Sequence, residues 1–404
     1  MTYLFNNQVS FVGNAVDAFN RLKVSQPFTL FDSQHRYQEN DKWTTVTSTG
    51  GSTIYQANES AMNLVLTTVS KAKVVRETKR VFPYQPGKSL LIFSTFAFAP
   101  KQTGLRQRVG YFGASNGIYL EQLDNTVYLV LRTSVSGSVD DTTYRVPQSS
   151  WNGDKFDGTG ESGRTVDLTK GNILWMDIEW LGVGDVRVGF IVDGRPVVAH
   201  VFHNDNLRST TYMTTAVLPL RQEIENISAT SASSTAKQIC ASVISDGGYE
   251  GFSRRYHASN GASALDLGAS QNYRPVISIR LASNRLDAVV VPSDVSVIST
   301  SNTWLGYQLV LNPTFSGTAP IWATHSNNNV EYCVHGSGTT AAVGTDIIGG
   351  YLNNGGTASI NSANNFNFQL GRTQGGVSDV ITLVVAAGTN NANVLADFSW
   401  FEIV

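Results

Sequence analysis

The segment NILWMDIEW sets Asp177 and Glu179 two residues apart, with Trp175 just before them. On a strand, period two turns all three side chains to one face. Two carboxyl groups about 5–5.5 Å apart are what a retaining glycosidase uses as acid and nucleophile. The same trio suits sugar binding without cleavage, since carboxylates accept hydroxyl protons and an indole offers an apolar ring. It also suits a solvated or ion-paired sheet face. A glycosidase pair usually belongs to a longer motif with a third carboxylate, and here Trp180, Leu181 and Gly182 follow instead. The expectation is a protein that is not an enzyme, with Trp175, Asp177 and Glu179 as the candidate carbohydrate site and Asp177 and Glu179 as the only catalytic candidates.

Other motifs lose their chemistry in context. Gly113-Ala-Ser115-Asn-Gly117 matches the nucleophile elbow, which needs a strand before and a helix after. A strand-like IYLEQL follows, so a hairpin turn is expected. Gly158-Thr-Gly160-Glu-Ser-Gly163 matches G-x-G-x-x-G but sits in a polar loop without the strand and helix of a dinucleotide site. That loop holds Asp154, Asp157 and Glu161, oxygen donors of the kind hard cations take, at a spacing unlike an EF-hand. A solvated loop without metal is expected. His200 and His203 fall on opposite faces of a strand. Cys240 and Cys333 are too few for a disulfide framework or a four-ligand zinc site, so free thiols are expected and no cofactor.

The chain has 404 residues, 41% hydrophobic and 15% charged, against roughly 25% charged in an average globular chain. Gly, Ser, Thr and Asn take the place of charge, which suits short strands and many turns. Net charge is −2 and no Lys/Arg run stands out, which argues against a nucleic-acid partner. The N-terminus MTYLFNNQVSFVGNA lacks the basic and apolar regions of a signal peptide, and no apolar run reaches membrane-span length. Synthesis in a cytoplasm, without membrane insertion, is the expectation.

The pattern predicts an all-β chain of two β-sandwich, jelly-roll-like domains behind an extended N-terminal arm. The arm covers 1–45, with a short helix over 14–24 and Phe19, Leu22, Phe28, Phe31 and Tyr37 as docking residues, and it either docks on a neighbour or packs on its own domain. The first sandwich covers 46–250, a linker 251–273 and the second sandwich 274–404. Strands are expected at 63–69, 89–100, 126–132, 173–180 and 212–224, then a loop over 225–237. Asp193-Gly194 signals a tight hairpin inside an antiparallel meander over 173–200. In the second unit, 276–281, 288–291, 306–311, 321–325, 366–370, 380–386 and 396–404 read as strands.

AFNRLKVSQPFTLFDSQHRY at 18–37, WMDIEWLGVGDVRVGFIVDGRPVVAHVFHNDN at 175–206 and YMTTAVLPLRQEIEN at 212–226 resemble virion structural proteins of tailed, marine or cyanophage-like bacteriophages. The middle unit also resembles the concanavalin-like jelly roll. The resemblance implies a virion protein made in a bacterial host, in the tail apparatus (fibre, baseplate periphery or collar) more than on the head. It implies other virion proteins and further copies of the chain as partners, a trimer being favoured, and host-surface glycans as a possible contact. A capsid decoration protein, a receptor-binding sugar module and a polysaccharide depolymerase are the alternatives.

Overall fold

The computed structural model describes residues 26–249, 253–324, 329–342, 344–353, 355–359 and 368–403. The expected helix over 14–24, with Phe19 and Leu22, lies outside them. The first unit opens with β1 (Phe28–Gln34), β2 (Trp43–Thr47), β3 (Gly51–Gln56), β4 (Ala61–Leu66) and β5 (Lys73–Thr78). It continues with β6 (Ser89–Ala97), β7 (Leu105–Phe112), β8 (Gly117–Leu123), β9 (Thr126–Arg132) and β10 (Arg145–Pro147). It closes with β11 (Asn172–Ile178), β12 (Val186–Val192), β13 (Arg195–Phe202), β14 (Leu220–Asn226) and β15 (Ser234–Asp246).

These strands make two antiparallel sheets. One has eight strands in the order β13-β12-β11-β6-β15-β4-β3, with β1 also paired to β15; the other has seven, β10-β9-β8-β7-β14-β5-β2. Alternation decides which side chains meet between them. Leu174, Met176, Ile178, Ile92 and Phe96 come from the first, and Val109, Tyr111, Leu120 and Leu129 from the second. Tyr111 carries a hydroxyl into this core, 2.6 Å from the Ala216 carbonyl oxygen, where it also accepts the Leu218 N–H at 3.0 Å.

The second unit begins with β16 (Arg254–Ser259), β17 (Leu265–Asp266), β18 (Arg274–Leu281), β19 (Val289–Ser299) and β20 (Trp304–Leu311). Then come β21 (Thr314–Gly317), β22 (Ala323–Thr324), β23 (Val330–Val334) and β24 (Thr339–Ala342). Last are β25 (Thr345–Asn353), β26 (Gly355–Ser359), β27 (Val380–Ala387) and β28 (Asn393–Ile403). A five-stranded sheet, β16-β28-β19-β26 with β17 on β28, faces a six-stranded one, β22-β23-β18-β27-β20-β25. Trp400, Phe398, Ile279 and Leu383 fill the space between. The protein is therefore all-β, with two sandwich units of jelly-roll-like topology. Val289 and Val291 reach into the first unit's core, Gln369 donates to the Val81 carbonyl at 3.0 Å and Arg372 pairs with Glu77.

Two expected boundaries shift. The region read as an arm up to 45 contains β1 and β2. Phe31, 2% exposed, packs on Phe82 with ring centroids 5.0 Å apart and meets Trp43 edge-on; Phe28 lies against Tyr249. Of these three described arm residues, only Tyr37, 82% exposed, stands out in solvent. A register shift between Thr29 and Phe31 buries Leu30 and Phe31 in succession, which erases the period-two signal. Likewise β16 and β17, inside the expected linker, pair with β28; β16 is an edge strand with mostly exposed, polar side chains. The loop expected over 225–237 shrinks because β14 runs to Asn226 and β15 starts at Ser234. The strand expected over 212–224 starts only at Leu220, and the described residues of that over 321–325 hold the two-residue β22.

Removing residues 1–45 is accordingly expected to abolish the cooperative thermal melt of the first sandwich. Leu30, Phe31 and Trp43 are buried, and each large apolar side chain stabilises by about 1.5–3 kcal/mol. Circular-dichroism melting of the truncated chain checks this, and a normal melt would refute it.

Candidate functional site

The outer face of the eight-stranded sheet carries Trp175. Antiparallel register places it beside Phe93 of β6 and Gly189 of β12; Ser242 of β15 lies beyond Phe93, and Asp32 of β1 beyond Ser242. One step along the strands, Asp177 lies between Leu91 and Arg187. One step the other way, Ile173 neighbours Thr95, then Cys240 and Gln34. These rows floor a groove of about 710 Å³ with an apolar centre and polar groups at its flanks. That composition, with a few polar groups placed around an apolar floor, is typical of small-ligand sites.

Trp175 is 5% exposed, and the nitrogen end of its ring sits over Gly189. A Cβ on Gly189 would stand 1.9 Å from the Val197 carbonyl oxygen and 3.0 Å from the Trp175 ring nitrogen. The indole N–H donates to that same carbonyl at 3.3 Å, which fixes the ring across β12. Cys240 is an exposed free thiol on the groove, and partial burial pushes it up, away from the reactive thiolate.

Asp177 is ion-paired with Arg187. Glu179 is not on the strand. β11 ends at Ile178, and Glu179 opens the turn to β12, its N–H donating to the Asp185 carbonyl at 3.1 Å and its carbonyl accepting the Tyr212 hydroxyl at 3.2 Å. Both carboxylates still line one cleft of about 470 Å³, together with Lys88, Asp185 and Arg187. Trp175 and Asp177 thus share the strand face that the spacing predicts, while Glu179 joins Asp177 through the turn.

The loop candidates have local work. Asp154 accepts the Phe156 N–H at 2.8 Å and the Ser162 N–H at 2.7 Å, and Asp157 accepts the Thr159 N–H at 2.9 Å. These bonds hold the carboxyls below the usual range, against the burial that raises Asp154. A Cβ on Gly160 would fall 2.2 Å from the Asp154 carboxylate, so that glycine answers to the loop's packing. No cluster of three or more metal-ligating side chains occurs among the described residues, Glu161 included. Residues 113–117 form the turn between β7 and β8, with Gly117 at φ 142°. His200 is buried, which lowers it to about 4, and accepts the Asn152 N–H, while exposed His203 faces Asp185.

Sequence reasoning misses a second surface. The outer face of the seven-stranded sheet carries Arg108, Arg132, Arg221, Glu77, Glu121 and Glu223, all at most one-tenth exposed in their side chains. Arg108 pairs with Glu223, Arg221 with Glu77 at 3.1 Å, Arg132 with Asp141 at 2.9 Å and Arg145 with Glu121 at 2.8 Å. Arg132 and Arg108 also lie 5.1 and 5.5 Å from the Tyr119 ring centre. Burial pushes the Glu223 carboxyl up, but Arg108 and Arg221 outweigh it and hold it at about 2. Alternation alone gives no sign that an Arg/Glu face is covered.

No protein-family model and no curated protein matches the chain. Solved structures similar to its fold include a protein of unknown function from Shewanella oneidensis MR-1, 10% identical over 55% of this chain and 88% of that one, TM-score 0.35. A carbohydrate esterase from the Shiga toxin-encoding bacteriophage phi24B is 10% identical over 55% of this chain and 99% of that one, TM-score 0.32. The CBM2 module of the evolved Dit of Lactobacillus casei BL23 phage J-1 is 6% identical over 56% of this chain and 98% of that one, TM-score 0.35.

Proposed function

We propose that this chain binds carbohydrate through the groove on the outer face of its eight-stranded sheet, as a component of a bacteriophage particle. The observation that carries the reading is the apolar floor of this groove, where Phe93 and Ile173 stand beside the largely buried Trp175, flanked by Asp177, Arg187 and Asp32. A pyranose ring has an apolar C–H face and a hydroxyl rim, and this floor and these flanks complement both. Binding is favoured over cleavage because Asp177 is engaged by Arg187 and Glu179 lies past the end of β11.

Trp175→Ala is expected to weaken binding to a responsive glycan at least about tenfold, the scale of losing a central aromatic anchor. An array of bacterial surface glycans probed with the wild type and the variant measures it. Equal retention of both proteins would remove the groove from the proposal. Release of reducing ends from a bound glycan would favour a depolymerase instead.

Within the particle we place the chain in the tail apparatus, alongside other virion proteins and further copies of itself, a trimer being favoured. Copy number separates this from a head decoration protein: tens of copies or fewer for a tail part, hundreds for a head cement.

A further inference from the structure

The second unit has an aromatic cleft of its own. On the outer face of its six-stranded sheet, Gly306 of β20 lies between Tyr351 of β25 and Ala386 of β27. Trp304, two residues before Gly306, meets Tyr351 edge-to-face with ring centroids 5.7 Å apart. Both rings are open to solvent, at 41% and 75%. Glycines let them lie close to the sheet. A Cβ on Gly306 would stand 2.8 Å from the Tyr273 hydroxyl and 3.3 Å from the Tyr351 ring, and one on Gly388 would stand 2.2 Å from the Trp304 ring nitrogen.

Trp304, Tyr351, Tyr273 and Gln271 line a cavity of about 620 Å³. Tyr273 is also a wall of a second cavity, about 270 Å³, that is lined by Gln308, Asp346 and by Ala341 and Ala342 of β24, the strand paired with β21. Size and chemistry narrow the occupant. Neither cavity has a Lys or Arg among its described lining residues, so nothing there neutralises a phosphate, sulfate or uronate; Asp346 is the one charge. A handful of residues in a cleft is also far from the roughly 800 Å² per partner of a stable protein interface. Aromatic faces carry negative quadrupole density, which attracts the weakly positive C–H faces of a sugar ring. Gln271, Gln308 and Asp346 supply donors and acceptors for its hydroxyls.

We propose that the second unit holds a separate carbohydrate site, for a neutral hexopyranose chain, with Trp304 and Tyr351 as the stacking platform and Gln308 and Asp346 as hydroxyl partners. It shares the ligand class of the groove at Trp175 but none of its residues.

Saturation-transfer NMR on the full chain, with maltohexaose, cellohexaose and laminarihexaose as probes, tests it. At least one probe should receive transfer at its ring C–H protons. Trp304→Ala and Tyr351→Ala should each weaken that binding at least about tenfold, and Trp175→Ala should leave it unchanged. Tyr351 is exposed enough that its truncation keeps the fold, so a misfolded Trp304→Ala does not remove the test. No transfer to any of the three hexaoses, or transfer unchanged in both variants, overturns the second site. Loss in Trp175→Ala alone also overturns it while leaving the proposed function standing.

Discussion

Truncating Glu223 to alanine is expected to lower the unfolding free energy by about 3–5 kcal/mol, the usual result of breaking a buried ion pair from one side. Glu223 on β14 stands opposite Arg108 on β7, and its side chain is 1% exposed. Its loss strips the Arg108 guanidinium, 5% exposed, of its closest partner and leaves it Asp141 at 3.9 Å and Glu121, its cross-strand neighbour on β8. Against a total stability of ordinarily about 5–15 kcal/mol, that shift moves a urea unfolding midpoint far beyond measurement error. Replacing both partners with apolar residues of similar volume should cost much less, because no charge is then left buried alone. A Glu223→Ala midpoint equal to wild type would show that the ionic layer is solvated.

The same residue sets a pH dependence. Its folded carboxyl is held at about 2 against an unfolded value near ~4.3. A depressed acid stabilises fully above its unfolded value, and that stabilisation is lost as pH falls through the folded one. The melting temperature should therefore drop between about pH 5 and about pH 2, and drop less steeply in Glu223→Gln. Asp141 and Glu225, held down by Arg132 and Arg106 against the burial that raises them, add to the slope; Glu121, pushed up by burial, opposes it.

Gly189→Ala is expected to damage fold and site together. The new methyl cannot coexist with the Val197 carbonyl 1.9 Å away, so β12 and β13 must separate there, and the Trp175 ring nitrogen 3.0 Å away is disturbed with them. Overpacking of this kind typically costs about 1–3 kcal/mol. Glycan binding should fall as far as in Trp175→Ala, since the indole loses both its bed and its acceptor. Gly171→Ala, where a Cβ meets nothing within 4 Å, is the control and should change neither. Unaltered binding by Gly189→Ala would mean that the Trp175 indole is not part of the site.

Strands with one buried face and clean alternation are readable from the residues. β9 covers Thr126–Arg132 as its alternation predicts, and the Asp193-Gly194 hairpin joins β12 to β13 with φ of 49° and 76°. Strands that break the pattern are not readable. β1 hides behind its register shift, β16 looks like a polar linker, and β24 to β26 are built largely from Gly, Ala, Thr and Asn. At the site, Trp175 and Asp177 follow from period two. The roles of Gly189 and Arg187 do not, because lateral register across strands decides them. Gly306 and Gly388 are equally silent in sequence, since a glycine that accommodates an aromatic ring looks like any other.

The most direct test of carbohydrate binding in the groove is a crystal structure of the full chain grown with a glycan retained on the array. The expected result is a sugar ring against the Trp175 indole with hydroxyls bonded to Asp177, Arg187 or Asp32. A glycan bound elsewhere on the first unit, with the groove between β1 and β12 left to solvent, would contradict the account.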